Sequence, residues 1–142
     1  MNERLSVKKI LVAVDGSPQS MRAIELASRM ARDMNAGIVI LHVQEMHELP
    51  TLIAEAEDEA ANERGQIILG AAAKVVRLEG IMPKVVLRKG HVVDQILRYV
   101  SANKPDVVVM GRRGISHVKS ILMGSTSQAI AQHAKCAVLI VS

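Results

Sequence analysis

The sequence predicts an α/β fold, a parallel sheet with helices on both faces. Three observations carry this. Five short runs rich in Val, Ile and Leu alternate with four helical patterns along the 142 residues. Parallel neighbours cannot be joined by a tight hairpin and need a crossover, usually a helix, so this alternation is the mark of a parallel sheet. Several of the apolar runs are nearly continuous rather than alternating, as in strands covered on both faces.

The elements follow in order. Val7 to Val14 reads as the first strand and stops at Asp15-Gly16-Ser17-Pro18, where Ser17 caps a helix and Pro18 occupies its first position. That helix runs to about Asn35 on an apolar stripe of Met21, Ile24, Leu26, Ala27 and Met30, with Gly37 as its stop. Ile38 to Val43 is the second strand. An acid-rich helical stretch spans roughly Pro50 to Glu79, and Gly65 and Gly70 are expected to interrupt or bend it. Lys84 to Arg88 is a third strand, Val92 to Ser101 a helix, and Val107 to Met110 a fourth strand. A last helix begins at Gly124-Ser125-Thr126 with Ser125 as its cap, and Ala137 to Val141 closes the series as a fifth strand. With no linker, low-complexity segment or repeat, residues 1–142 read as a single domain with a sizeable core.

Composition narrows the function. Tyr99 is the only aromatic residue, so stacking platforms for single-stranded nucleic acid are lacking. Nucleic acid is not an expected partner. Cys136 is the only cysteine, which excludes an intrachain disulfide and a CxxC site; it reads as a small buried hydrophobe. The five histidines show no zinc-ligand spacing. No signal-peptide pattern or membrane-length apolar run is seen, so a cytoplasmic location and no membrane partner are expected. Charge is unevenly placed. Glu45 to Glu63 holds seven acids and no Lys or Arg, whereas from Arg64 onward twelve bases face three acids.

The chemistry concentrates after the fourth strand. Gly111 and Gly114 flank Arg112 and Arg113, nine residues follow, and then comes Gly124-Ser125-Thr126 at a helix start. Strand, glycine loop and helix N-terminus together make an anion site, most often for phosphate, because the first helical N–H groups have no intrahelical partner. A tight βα connection using glycine only for geometry is the alternative; the second glycine-hydroxyl cluster favours the anion site. Ligands of such sheets bind outside the carboxyl ends of strands where strand order reverses. The Asp15 and Gly111 loops share a crevice if the first and fourth strands are neighbours, which the pattern alone leaves open.

These features resemble the universal stress protein family over essentially the whole chain. The resemblance rests on Ile10-Leu-Val-Ala-Val-Asp-Gly-Ser17, Leu41-His-Val43, Val107–Gly114, Gly124-Ser125 and Cys136–Val141. The spacing Gly-x2-Gly-x9-Gly-Ser is similar to the signature of the family's ATP-binding branch. The resemblance implies a doubly wound, Rossmann-like sheet of order 3-2-1-4-5 and ATP as ligand, with any Mg²⁺ carried by the phosphates. It implies that Ala13 and Val14 line the base pocket, Asp15 lies by the ribose, and the Val43 main chain meets adenine. Met110 and Gly111 lead into the phosphate loop, Gly114 closes it, Arg113 adds charge, and Gly124, Ser125, Thr126 and Ser127 hold phosphate. It also implies a homodimer paired through Val138, Leu139, Ile140 and Val141. Lys135-Cys136-Ala137 departs from the Pro-Cys-Pro common before the family's last strand.

The function this implies is a stress-response module whose conformation or partners depend on bound nucleotide. Two alternatives stand beside it: a slow ATPase or phosphotransferase, and a dimeric interaction protein indifferent to nucleotide. No Walker motif or kinase motif supports the enzyme, and Asp15 and His117 are the only candidates for proton chemistry.

Overall fold

A computed structural model describes residues 6–46, 51–112 and 124–142. Five strands, β1 (Lys9–Ala13), β2 (Gly37–Glu45), β3 (Lys84–Gly90), β4 (Val107–Gly111) and β5 (Ala137–Val141), form one sheet. All are parallel, in the order β3-β2-β1-β4-β5. The central strand β1 pairs Ala13 with Leu41 on one side and with Met110 on the other. Strand order therefore reverses between β1 and β4, which settles the adjacency that periodicity left open.

Among the described residues, four helices cover the sheet: α1 (Pro18–Met34), α2 (Thr51–Leu78), α3 (Val92–Asn103) and α4 (Ser125–His133). On one face, Ile10, Val12, Ile40 and Val109 pack with Ala23, Ile24 and Ala27 of α1 and Leu69, Ala72 and Val76 of α2. On the other, Leu11, Leu41 and Val108 pack with Ile96 and Tyr99 of α3 and Ile130 of α4. Strands β1 and β4 sit between both cores, which explains their continuous apolar sequence.

Several expectations change in detail. Helix α1 ends near Asn35 as expected, but Asn35 itself rather than Gly37 stops it: Asn35 is left-handed at φ 54°, and its N–H donates to the carbonyls of Ala31 and Arg32. Gly37 instead opens β2. Leu26 is exposed, and the buried stripe runs through Ser20, Ala23, Ile24, Ala27, Ser28 and Ala31. Small residues there let α1 lie close to the sheet.

Helix α2 is one continuous 28-residue element rather than an interrupted one. Gly65 is buried, and a Cβ there would stand 3.1 Å from both His42 Cδ2 and Leu87 Cδ1. The glycine brings the helix close to β2 and β3, a packing role invisible to helix propensity. Strands β2 and β3 run past the expected ends because they continue to pair as far as Glu45 and Gly90.

Candidate functional site

The carboxyl ends of β1, β2 and β4 lie side by side. The turn after β1 is built by its own side chains. Asp15 Oδ1 accepts the Ser17 N–H at 2.9 Å, and Gly16 takes the left-handed φ of +85° that bends the chain toward α1. Ser17 Oγ caps α1 by accepting the Ser20 N–H at 3.1 Å, while Ser20 Oγ donates to the Ser17 carbonyl at 3.0 Å. Asp15 N–H donates to Ser20 Oγ at 3.3 Å. One carboxylate oxygen of half-buried Asp15 is thus committed to the turn, and among the described residues Oδ2 accepts no hydrogen bond.

Facing this turn across the β1–β4 boundary is Gly111. A Cβ there would lie 3.0 Å from Gln19 C, Gln19 Cβ and Ser20 N. Its missing side chain lets β4 abut the first turn of α1, so in this structure the close neighbour of the glycine is the helix backbone. Arg112 N–H then donates to the Val141 carbonyl at 2.7 Å, tying the strand end to β5.

The segment from Arg113 to Met123, which includes Gly114 and His117, lies outside the described residues. Its two flanks are fastened together: the Arg112 carbonyl accepts the Gly124 N–H at 3.0 Å and the Ser127 hydroxyl at 2.5 Å. Gly124 is the N-cap of α4, in extended backbone with no side-chain cap, and Ser125 is the first helical residue rather than the cap. The Gly124 carbonyl instead accepts the Gln128 N–H, as an N-cap carbonyl does.

The assigned residues divide as follows. Ala13, Met110 and Gly111 are strand residues on the neighbouring β1 and β4. Val14 is buried at the turn, and its N–H donates to the Leu41 carbonyl at 2.9 Å. Val43 lies two residues past Leu41 on β2, in register with Arg88 of β3. Ser125 and Thr126 begin α4, their side chains exposed and half-buried. Ser127 is buried, and its single hydroxyl proton goes to Arg112 O, with Gly124 O 3.1 Å away.

Sequence reasoning missed His42. Its Nδ1 lies 2.8 Å from the Val14 carbonyl, a contact that requires the proton on Nδ1 and fixes the backbone just before Asp15. Strand alternation was the available signal: it places His42 on the face opposite Leu41 and Val43. Gln44 was missed as well. Buried on the same strand face, it donates from Nε2 to Asp58 Oδ1 at 2.9 Å, and Lys89 Nζ lies 3.6 Å from Asp58 Oδ2. Cys136 is half-buried just before β5, and desolvation pushes its thiol pKa up, so it is a poor nucleophile. Among the described residues, no group of three or more His, Cys, Asp or Glu is placed to hold a metal, and no helix is long and apolar enough to cross a membrane.

A five-stranded, doubly wound α/β protein whose strand order switches between β1 and β4 is the class that this fold defines. The chain belongs to the universal stress protein family, whose model matches residues 6–142. It is 30% identical over 145 residues to universal stress protein YxiE of Bacillus subtilis, covering 94% of this chain and 97% of that one. A universal stress protein of Thermus aquaticus is 32% identical over 136 residues, covering 94% and 98%. Among solved structures, UspA from Lactobacillus plantarum superposes with a TM-score of 0.78 at 23% identity over 96% of this chain and 99% of that one. A universal stress protein in complex with cAMP gives 0.76 at 25% identity over 96% and 98%. One from Arabidopsis thaliana with AMP bound gives 0.73 at 22% identity over 94% and 90%.

Proposed function

We propose that this chain is an ATP-binding member of the family, a regulatory module whose shape or partners depend on the bound nucleotide. The observation that carries the proposal is the juxtaposition of the Asp15 turn with the Gly111–Arg112 strand end and the N-terminus of α4. Each supplies what a nucleotide needs. Asp15 Oδ2 suits ribose hydroxyls, and the Val43 main chain with Ala13 and Val14 suits the base. The first N–H groups of α4, at Ser125 and Thr126, suit phosphate oxygens. Arg113 and Gly114 complete the phosphate loop in this reading, and Mg²⁺ arrives on the phosphates. Solved relatives that carry cAMP or AMP support an adenine nucleotide as the ligand class.

Ser127 takes a different role from its neighbours. With its proton on Arg112 O its hydroxyl holds the two flanks of the loop together, and in this reading Ser127 contributes to the phosphate site with its main chain. Nucleotide would act as a switch through differential contact of its terminal phosphate with the 111–127 segment. The proposal includes a single cytoplasmic domain that pairs as a homodimer through Val138 to Val141 of β5, the open sheet edge.

The test is calorimetric titration with ATP and Mg²⁺ on the parent, Gly124→Val and Asp15→Ala. Gly124 has φ −65° and ψ 156°, which valine tolerates, so Gly124→Val should keep the fold and abolish binding by crowding the helix start. Asp15→Ala should weaken it by about tenfold to a hundredfold, the worth of charge-assisted hydrogen bonds. Undiminished affinity in Gly124→Val sinks the site.

A further inference from the structure

The ladder between β1 and β2 stops one rung early, and a side chain stops it. The strands pair in register from Lys9 with Gly37 to Ala13 with Leu41, and one further bond follows, Val14 N–H to the Leu41 carbonyl at 2.9 Å. In a parallel ladder the residue that donates to Leu41 accepts in turn from Val43, so the next rung is Val43 N–H to the Val14 carbonyl. That rung is not made. Pairing ends at Ala13 and Leu41, and among the described residues no backbone hydrogen bond joins Val43 to Val14. His42 Nδ1 takes the Val14 carbonyl instead, at 2.8 Å. A carbonyl only accepts, so Nδ1 carries the proton.

Helix α2 holds the imidazole in that place. A Cβ on Gly65 would stand 3.1 Å from His42 Cδ2 and 3.6 Å from Nε2, so the bare helix backbone closes on the ring edge that faces away from Val14. The consequence falls on Val43. Past this point β2 pairs only with β3, where Val43 is in register with Arg88. Alternate residues of a strand bond to opposite neighbours, so the Val43 N–H faces β1, where the acceptor it would use is already occupied. Val43 is only 8% exposed. Amides of buried residues are nearly always paired. A donor left over at the carboxyl edge of the sheet, beside the Asp15 turn, is therefore a place for an acceptor from outside the chain.

We infer that His42 is a positioning residue for base recognition: by occupying the Val14 carbonyl, its imidazole keeps the Val43 N–H out of the sheet and available to an unprotonated ring nitrogen of a nucleotide base. The inference rests on the nucleotide reading above and adds to it the side chain that makes the base contact selective. A backbone N–H binds a bare ring nitrogen and is opposed by a second N–H. The contact thus favours a base that presents a lone pair at that point over one that presents a proton there.

The experiment compares the full-length parent with His42→Phe, which keeps a ring without a donor, and His42→Asn, whose side-chain amide keeps a donor where Nδ1 stands. Circular dichroism checks that each is folded. In ligand-free protein, NMR of nitrogen-labelled samples reads the His42 tautomer and the scalar coupling across a Val43 N–H to Val14 carbonyl bond. The parent should carry the ring proton on Nδ1. The coupling should be absent from the parent and from His42→Asn, and present in His42→Phe. Calorimetry then measures ATP and its deaza analogues, each with one ring nitrogen replaced by C–H. One analogue should bind the parent about tenfold more weakly than ATP, the worth of one hydrogen bond. His42→Phe should bind ATP about tenfold more weakly than the parent does and lose that penalty, and His42→Asn should regain both. A ring proton on Nε2 or the coupling in the parent overturns the inference and leaves nucleotide binding standing. So does a parent that binds ATP with no deaza penalty, or a penalty unchanged in His42→Phe. A parent that binds neither ATP nor any analogue sinks the nucleotide reading itself, and the inference with it.

Discussion

Three glycine-to-alanine substitutions should change stability by different amounts and in different directions, for reasons that are local and geometric. At Gly111 the added methyl would sit 3.0 Å from Gln19 C, Gln19 Cβ and Ser20 N, where carbon contacts ordinarily lie at about 3.5–4.0 Å. These atoms belong to the first turn of α1, which is fixed by the Ser17 cap and by Ser20 Oγ on the Ser17 carbonyl. The turn must move by roughly half an ångström, at an overpacking cost of about 2 kcal/mol. At Gly70, exposed on α2, a Cβ meets nothing within 4 Å, so alanine should stabilise the helix by about 1 kcal/mol. Gly65→Ala gains the same propensity but meets His42 and Leu87 side chains at 3.1 Å, so it should fall between the two. Urea denaturation at fixed protein concentration reads all three, and the Gly70 and Gly111 variants should differ by about 3 kcal/mol. Gly111→Ala as stable as the parent, or Gly70→Ala less stable, would refute the reasoning.

Other outcomes follow from single contacts. Ser17→Ala removes the α1 cap and should cost about 1 kcal/mol, seen as a drop of about 2–4 °C in Tm. Asp106 Oδ2 accepts the backbone N–H groups of Lys8 and Lys9 at 2.8 and 2.9 Å, and these bonds hold its pKa below the ordinary carboxylate value. A depressed acid stabilises the fold above its unfolded pKa of about 4, and that contribution disappears as pH falls through the lower folded value. Asp106→Asn should therefore lose a little stability at neutral pH and lessen the loss seen in acid. The effect stays small because the carboxylate is exposed. Cys136 should react slowly with a thiol-disulfide reagent at pH 8 in the folded protein and rapidly in urea, since burial disfavours its thiolate.

How far the sequence carries depends on the range of the interaction involved. All five strands were legible because continuous β-branched runs bounded by Gly, Pro and Asp have few other uses. Strand order was not legible from period, and came only with the family resemblance. The Ser17-Pro18 helix start was visible because its chemistry is contained within four residues. The ends that failed were decided elsewhere. Helix α1 ended near Asn35 as expected, but Asn35 rather than Gly37 stops it, by adopting a left-handed conformation open to both residue types. Gly65 looked like a helix breaker because its reason, the His42 and Leu87 side chains, lies on other elements. Ser125 lost the cap to Gly124 because the Arg112 carbonyl, twelve residues earlier, draws in the Gly124 N–H and the Ser127 hydroxyl. At the candidate site, Asp15 and Gly111 were recognisable as residue types. The His42 contact with Val14 was hidden, because it joins residues 28 apart.

The most direct test of nucleotide binding uses protein purified without added nucleotide. It is denatured, the released small molecules are identified by chromatography and mass spectrometry, and parallel samples are titrated with ATP and Mg²⁺. The account predicts near-stoichiometric adenine nucleotide in the purified protein or saturable ATP binding in the titration, with both abolished by Gly124→Val. Protein that releases no nucleotide and shows no saturable binding would contradict it, leaving the glycines of the β4–α4 connection with packing as their only role.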